Sequence, residues 1–274
     1  MSENKYLVIG GAGEAGQSAI EYFRKNDKNC LIISTTSENS NISGADVILT
    51  HIKANEDIVE NIQSQLEDKL LSGIFHTIVY TPALGEVGYP IRQTTKDALE
   101  VALGISYYPM LELEKFYTPK FTIAYSAFYW LSHTLAFYGS MGFVKLRMDE
   151  WALASPTNRR IIRAGTFYSK SVRGISIVLQ RTMKTTTDPD LIKLKTAFNE
   201  SGKKFQDFFL DYAWKHEKEY FSNPGFKQAY RPTNREDLTR GLGNAMNTDA
   251  PITTVLGDWE WNENKLPDLP EWFK

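Results

Sequence analysis

Residues 6–16 read Tyr6-Leu7-Val8-Ile9-Gly10-Gly11-Ala12-Gly13-Glu14-Ala15-Gly16. Four apolar residues run straight into glycines, and a helical pattern follows over residues 17–25 with Ile20 and Phe23 on its inner face. A buried strand, a tight turn and a helix are therefore expected in that order. The glycines fit two spacings, Gly11-x-Gly13-x-x-Gly16 and Gly10-x-x-Gly13-x-x-Gly16. Glycine suits such a turn where the backbone must fold sharply and a pyrophosphate must approach it, with the N–H groups of the helix start as donors. The same spacing also suits a loop that keeps the fold and binds nothing.

Outward from this unit, short apolar runs recur at residues 30–33, 47–49, 77–80, 121–125 and 160–163. Helical patterns separate them at residues 55–70, where Ile58, Ile62 and Leu66 fall every four positions, at 94–116 and at 139–154. Strands alternating with helices predict an α/β fold, a doubly wound parallel sheet of the Rossmann kind, in a single domain. Residues 5–170 form its core. Residues 171–274 form an irregular C-terminal extension of helices beside the site, among them 205–220, followed by a tail. Thr185 begins a loop ending at Pro189. Pro267, Pro270, Trp272 and Phe273 suggest an extended tail packing its aromatics on the body. Trp259 and Trp261 belong to the same aromatic stretch, which suits an interface, a substrate mouth or plain packing.

Bulk properties remove several classes of function. Of 274 residues, 42% are hydrophobic and 23% charged, which suits a globular protein with a sizeable core. The net charge is −2 and its cations are scattered, so the footprint of a nucleic-acid binder is missing. The single cysteine, Cys30, begins an apolar run and is expected as a buried strand residue in a reducing compartment. Met1-Ser2-Glu3-Asn4-Lys5 is polar and enters a strand directly, without a secretory leader pattern, so a cytoplasmic location is expected. Ser126, Ser132, His133, Thr134 and Ser140 interrupt the aromatic stretch at 124–144, which reads as interior and not as a membrane span. His51, His76, His133 and His216 are dispersed, so no metal site is expected. No Gly-x-Ser-x-Gly elbow supports a serine hydrolase.

The candidate cofactor is NAD or NADP. Gly10, Gly11, Gly13, Glu14, Ala15 and Gly16 would hold its pyrophosphate. Strand two ends in Ser34, Thr35 and Thr36, with neither the acid that binds an adenosine ribose nor an arginine that clamps a 2′-phosphate, so both cofactors stay open. His51 and Ile52 follow strand three, and Thr81 and Pro82 follow strand four. These four positions complete the candidate cofactor contacts with Lys145 and Ser169.

Tyr138-Gly139-Ser140-Met141-Gly142-Phe143-Val144-Lys145 follows strand five. Here the chain resembles the short-chain dehydrogenase/reductase superfamily. The superfamily's common signature places Tyr four residues before Lys, a position held by Met141. The octapeptide instead resembles the Tyr-x-x-Met-Gly-x-x-Lys segment of enoyl-acyl-carrier-protein reductases, whose Tyr and Lys lie seven apart. The segment 161–169, with Ala164-Gly165 leading to Ser169, looks like that family's strand-six segment and its cofactor-contacting Thr. Gly104-Ile105-Ser106-Tyr107-Tyr108 looks like the Ser-rich middle of its helix before strand five. The resemblance spans residues 5–170 in layout. It implies that Lys145 binds the nicotinamide ribose, that Tyr138 hydrogen-bonds a substrate thioester carbonyl, and that Ser126 holds the superfamily's serine position. It also implies a small-molecule substrate, an acyl thioester in that branch, and a homo-oligomer, dimer or tetramer.

Seven residues make nearly two helical turns, so Tyr138 and Lys145 share a face if helix covers both. The chain departs from the branch at Phe128, where a further Tyr stands in that branch (Tyr129 fits with one deletion), at His51 in place of an Asp, and in the loop Tyr80-Thr81-Pro82-Ala83-Leu84-Gly85. Two functions follow: a reductase moving hydride to an enoyl or carbonyl substrate, or a non-catalytic dinucleotide-binding sensor or scaffold.

Overall fold

The structure, a computed structural model, describes residues 4–222 and 225–273. Met1, Ser2 and Glu3 of the polar leader lie outside the described residues. Strands β1 (Lys5–Ile9), β2 (Leu31–Thr35), β3 (Val47–Leu49), β4 (Thr77–Tyr80), β5 (Phe121–Ala127), β6 (Arg159–Ala164), β7 (Ile252–Leu256) and β8 (Trp259–Glu263) form one sheet. Its order is β3-β2-β1-β4-β5-β6-β7-β8, parallel throughout except for β8, which runs antiparallel to β7. The chain works outward from β1 to β3 and then restarts at β4, so the winding reverses between the carboxyl ends of β1 and β4. That crevice is where open α/β sheets bind ligands.

Both faces of β1 are buried, as a central parallel strand requires. Tyr6 and Val8 join a core under α1 (Glu14–Asn26) and α10 (Arg235–Asn247), with Ile20, Phe23, Leu238 and Leu242. Leu7 and Ile9 point to the other face. There they meet side chains from α2 (Ile58–Asp68), α4 (Tyr108–Tyr117) and α6 (Ser140–Ala154). A third layer, α7 (Lys170–Thr182), α8 (Pro189–Ser201) and α9 (Phe205–Phe221), packs Leu179, Leu191, Phe205 and Phe209 against Phe137 of the short helix α5 (Ser132–Phe137).

Four features depart from the sequence reading. Helix α1 starts at Glu14, three residues early, because Gly13 already has extended backbone and serves as its N-cap. The pattern at 94–116 is two helices, α3 (Lys96–Ser106) and α4, broken at Tyr107. Pro109 causes the break: it lacks an N–H and would clash with the carbonyl four residues back, that of Ile105. The Tyr80 hydroxyl donates to this carbonyl instead. Tyr138 is not in α6, which begins at Ser140 after Gly139 turns with φ of 48°. Finally, the C-terminal extension is more regular than expected. Ile252-Thr253-Thr254-Val255-Leu256 and Trp259–Glu263 form a hairpin that widens the sheet, while Phe273 of the tail is buried against Tyr129 and Phe143.

Candidate active site

A cavity of about 470 Å³ opens over the carboxyl ends of β4, β5 and β6 and reaches the start of α1. Its glycine end is built by close approach. Gly10 has φ of 78°, and its N–H donates to Thr35 Oγ1 at 3.1 Å. A Cβ on Gly16 would lie 2.5 Å from the Gly10 carbonyl oxygen, so the helix seats against the turn only with glycine there. Gly13 is different. A Cβ there would meet only the Gly10 oxygen, at 3.7 Å, so no neighbour in the chain excludes a side chain. Gly13 leaves open a concave surface beside the α1 amides of Glu14, Ala15 and Gly16, which find no acceptor among the described residues. Phosphate oxygens fit that arrangement. Glu14 lines the same end, and its carboxylate is clamped by Arg235 from α10, with Nε–Oε2 at 2.7 Å and Nη2–Oε1 at 2.9 Å.

The cofactor positions named from the sequence divide in two. Thr81 and Ser169 line the cavity with Gly13, Glu14 and Ala15. Thr81 Oγ1 donates to the Ile9 carbonyl at 2.7 Å, while Ser169 caps α7 by accepting the Val172 N–H. Pro82 packs beside Gly10. Ser34 and Thr35 stand under the turn with both hydroxyls engaged, Ser34 donating to the Val8 carbonyl and Thr35 accepting from Gly10. A Cβ on Gly11 would overlap Ser34 Oγ, so that glycine serves packing with strand two. His51 is exposed with φ of 58°, Ile52 is buried, and neither reaches the cavity.

Tyr138, Lys145 and Ser126 do come together on the cavity wall, from three different elements. Lys145 is buried, and its Nζ donates to the Tyr125 carbonyl of β5 at 2.7 Å. Burial pulls its pKa down to about 8, and the charge of Asp149, one turn further along α6, opposes that fall. Ser126, next to last in β5, has a buried hydroxyl with no hydrogen-bond partner among the described residues. Tyr138 likewise makes no side-chain hydrogen bond, and burial pushes its phenol up to about 12, so it stays protonated at neutral pH. Buried polar groups normally find partners. The unpaired Ser126 hydroxyl, the Tyr138 phenol and the Lys145 ammonium all line the cavity and form a set ready to meet ligand oxygens. Met141, in the superfamily's common tyrosine position, also lines the cavity.

Sequence reasoning missed the charge network behind Lys145. Asp149 Oδ2 accepts from Arg163 Nη2 at 2.6 Å and from the Tyr129 hydroxyl at 3.0 Å, with Arg163 and Asp149 both fully buried. Glu263 of β8 takes the other Arg163 arm at 2.5 Å. An aspartate four residues after the lysine was the available signal. His133 and His216, 83 positions apart in the chain, meet with ring centroids 5.1 Å apart and planes tilted by 41°, and burial holds His133 neutral with a pKa of about 3. Among the described residues no group of three or more His, Cys, Asp and Glu could hold a metal ion, and no helix is long and apolar enough to cross a membrane.

No protein-family model matches the chain, and no curated protein sequence does. Solved structures do. YwfH, an NADPH dependent reductase involved in bacilysin biosynthesis, superposes with a TM-score of 0.52 at 9% identity, over 66% of this chain and 81% of that one. A short-chain type dehydrogenase/reductase from Mycobacterium ulcerans gives 0.51 at 17% identity, over 66% and 75%. The YIR035C short chain dehydrogenase/reductase from Saccharomyces cerevisiae gives 0.52 at 12% identity, over 72% and 83%. At such identities the likeness is one of architecture. The chain has the fold of the short-chain dehydrogenases/reductases.

Proposed function

We propose that this chain is a divergent NAD(P)-dependent reductase of the short-chain superfamily, acting on an enoyl thioester or carbonyl of an apolar small molecule. The observation that carries the reading is the shared cavity: Gly13, the unpaired buried hydroxyl of Ser126, the Tyr138 phenol and Lys145 all line it. A bound dihydronicotinamide supplies the hydride. Glycine-loop amides hold the diphosphate, and Lys145, fixed by the Tyr125 carbonyl, offers its remaining protons to ribose hydroxyls. The Tyr138 phenol donates to the substrate oxygen and stabilises the negative charge that develops there. Its raised pKa suits a hydrogen-bond donor better than a phenolate base. Val87, Phe137, Met141, Ile175, Val178 and Phe209 make the rest of the chamber apolar, which favours an acyl or other hydrocarbon substituent over a sugar.

The test is oxidation of NADH and NADPH with a panel of enoyl thioesters and ketones. Tyr138→Phe should lower kcat about a hundredfold with cofactor affinity unchanged, and Lys145→Ala should weaken cofactor binding. Equal rates in all three proteins refute these roles. A second reading, a dinucleotide-binding sensor without turnover, is favoured by Met141 in the common tyrosine position. Tight binding with no turnover on the whole panel would select it. Val101, Tyr108 and Phe116, exposed on α3 and α4, support a homo-oligomer formed through those helices.

A further inference from the structure

Glu217 stands in the wall of the same cavity, contributed by α9, and is 1% exposed. Its Oε1 accepts the Thr166 N–H at 2.6 Å and its Oε2 accepts the Tyr230 hydroxyl at 3.2 Å. Gly165 lies against it: a Cβ there would meet Leu256 Cδ1 and Thr233 Oγ1 at 2.7 Å or less and Glu217 Oε2 at 3.1 Å. The acid lies beside the proposed reaction centre. Gly165 and Thr166 directly follow β6, whose last residue, Ala164, pairs with Ala127, the neighbour of Ser126.

The polar groups at this end are complementary in kind. Ser126, Tyr138 and Lys145 bring donors, which suit ligand oxygens. Two acids line the cavity, and Arg235 already neutralises Glu14. Glu217 has no ion-pair partner among the described residues, and burial raises its pKa to about 7. A carboxylate offers about four acceptor positions, and among the described residues the Thr166 N–H, the Thr166 hydroxyl and the Tyr230 hydroxyl take three of them. An isolated acid in an apolar chamber is costly unless a ligand donor completes its hydrogen bonds.

We propose that Glu217 is the specificity residue for the nicotinamide carboxamide, accepting a hydrogen bond from its NH2 group. The assignment rests on the reading of the cavity as an NAD(P) site. The amide nitrogen is the donor a nicotinamide ring presents, and a carboxylate held only by hydrogen-bond donors is the acceptor it would meet. Tyr230 and the amide and hydroxyl of Thr166 fix the carboxylate, so its remaining acceptor position is set before ligand arrives.

The test compares two cofactors that differ at this one group. The reduced dinucleotide and its 3-acetylpyridine analogue, in which methyl replaces NH2, are titrated by calorimetry at pH 8, where Glu217 is ionised. Adenosine diphosphate ribose, which lacks the ring, reports the glycine-loop end alone. The parent should prefer the carboxamide by about tenfold or more, as expected for one charge-assisted hydrogen bond. In Glu217→Met, which removes the acceptor, that preference should collapse towards unity, with affinity for adenosine diphosphate ribose unchanged. Equal affinity of the parent for the two dinucleotides overturns the assignment with no variant needed, as does an unchanged preference in Glu217→Met. Failure of the parent to bind either dinucleotide or adenosine diphosphate ribose overturns the NAD(P) reading itself, and the assignment with it.

Discussion

Replacing Lys145 with methionine should make the unliganded protein more stable while removing its function, and the size of the gain should depend on pH. Burial lowers the ammonium's pKa from 10.5 to about 8. Each unit corresponds to about 1.4 kcal/mol, so keeping the charge inside at pH 7 costs roughly 3 kcal/mol. Methionine fills similar space without the charge. It also strands the Tyr125 carbonyl that Nζ now bonds at 2.7 Å. An unsatisfied buried acceptor costs about 1–2 kcal/mol, which leaves a net gain of about 1–2 kcal/mol for the variant at pH 7. Asp149 keeps its partner in Arg163.

The sign of the pH effect follows from proton counting. Between about 8 and 10.5 the unfolded parent binds more protons than the folded one, so parent stability rises with pH through that window. The methionine variant lacks this contribution. Its advantage should therefore shrink by roughly 1 kcal/mol from pH 7 to pH 9 and by roughly 2 kcal/mol by pH 10. Urea unfolding of both proteins across this range, scored as the difference in stability, cancels the tyrosines and other groups they share. A difference that does not change with pH would refute the reasoning, since Lys145 would then not be a desolvated ammonium.

Two further predictions separate scaffolding from function. Gly13→Ser should leave stability within about 0.5 kcal/mol, because serine is a favoured N-cap and a Cβ has space, yet it should weaken dinucleotide binding at least about tenfold by filling the cradle. Gly16→Ala should instead destabilise by about 1–3 kcal/mol through its clash with the turn, read by urea unfolding. Arg163→Met leaves two acids, Asp149 and Glu263, without their shared cation, so it should cost about 3–5 kcal/mol in the same assay.

The strand, glycine turn and helix at residues 5–26 were legible because apolar run, glycine spacing and helical period change over within a few positions. The second half of the sheet was harder. Ile252-Thr253-Thr254-Val255-Leu256 is β-branched and ends at Gly257, which has φ of 56° in the hairpin turn, but Trp259 and Trp261 drew attention as a tail. Local motifs were enough to single out Ser126, Tyr138 and Lys145, which line one cavity in the structure. That Gly139 breaks the helix between Tyr138 and Lys145 was not evident from spacing alone. The engaged hydroxyls of Ser34 and Thr35 show the limit of reading strand-two chemistry without its neighbours: residues placed to meet a ribose are already bonded to the turn. Glu217 was out of reach altogether, since its relation to Thr166 spans 51 positions and depends on how α9 packs.

The most direct test of the account is calorimetric titration of the parent and of Gly13→Ser with NADH and NADPH in parallel. Saturable one-to-one binding of at least one dinucleotide to the parent, lost or strongly weakened in a Gly13→Ser protein of unchanged stability, is the predicted result. Binding of neither dinucleotide by a folded parent, or equal binding by both proteins, would contradict the assignment of this cavity.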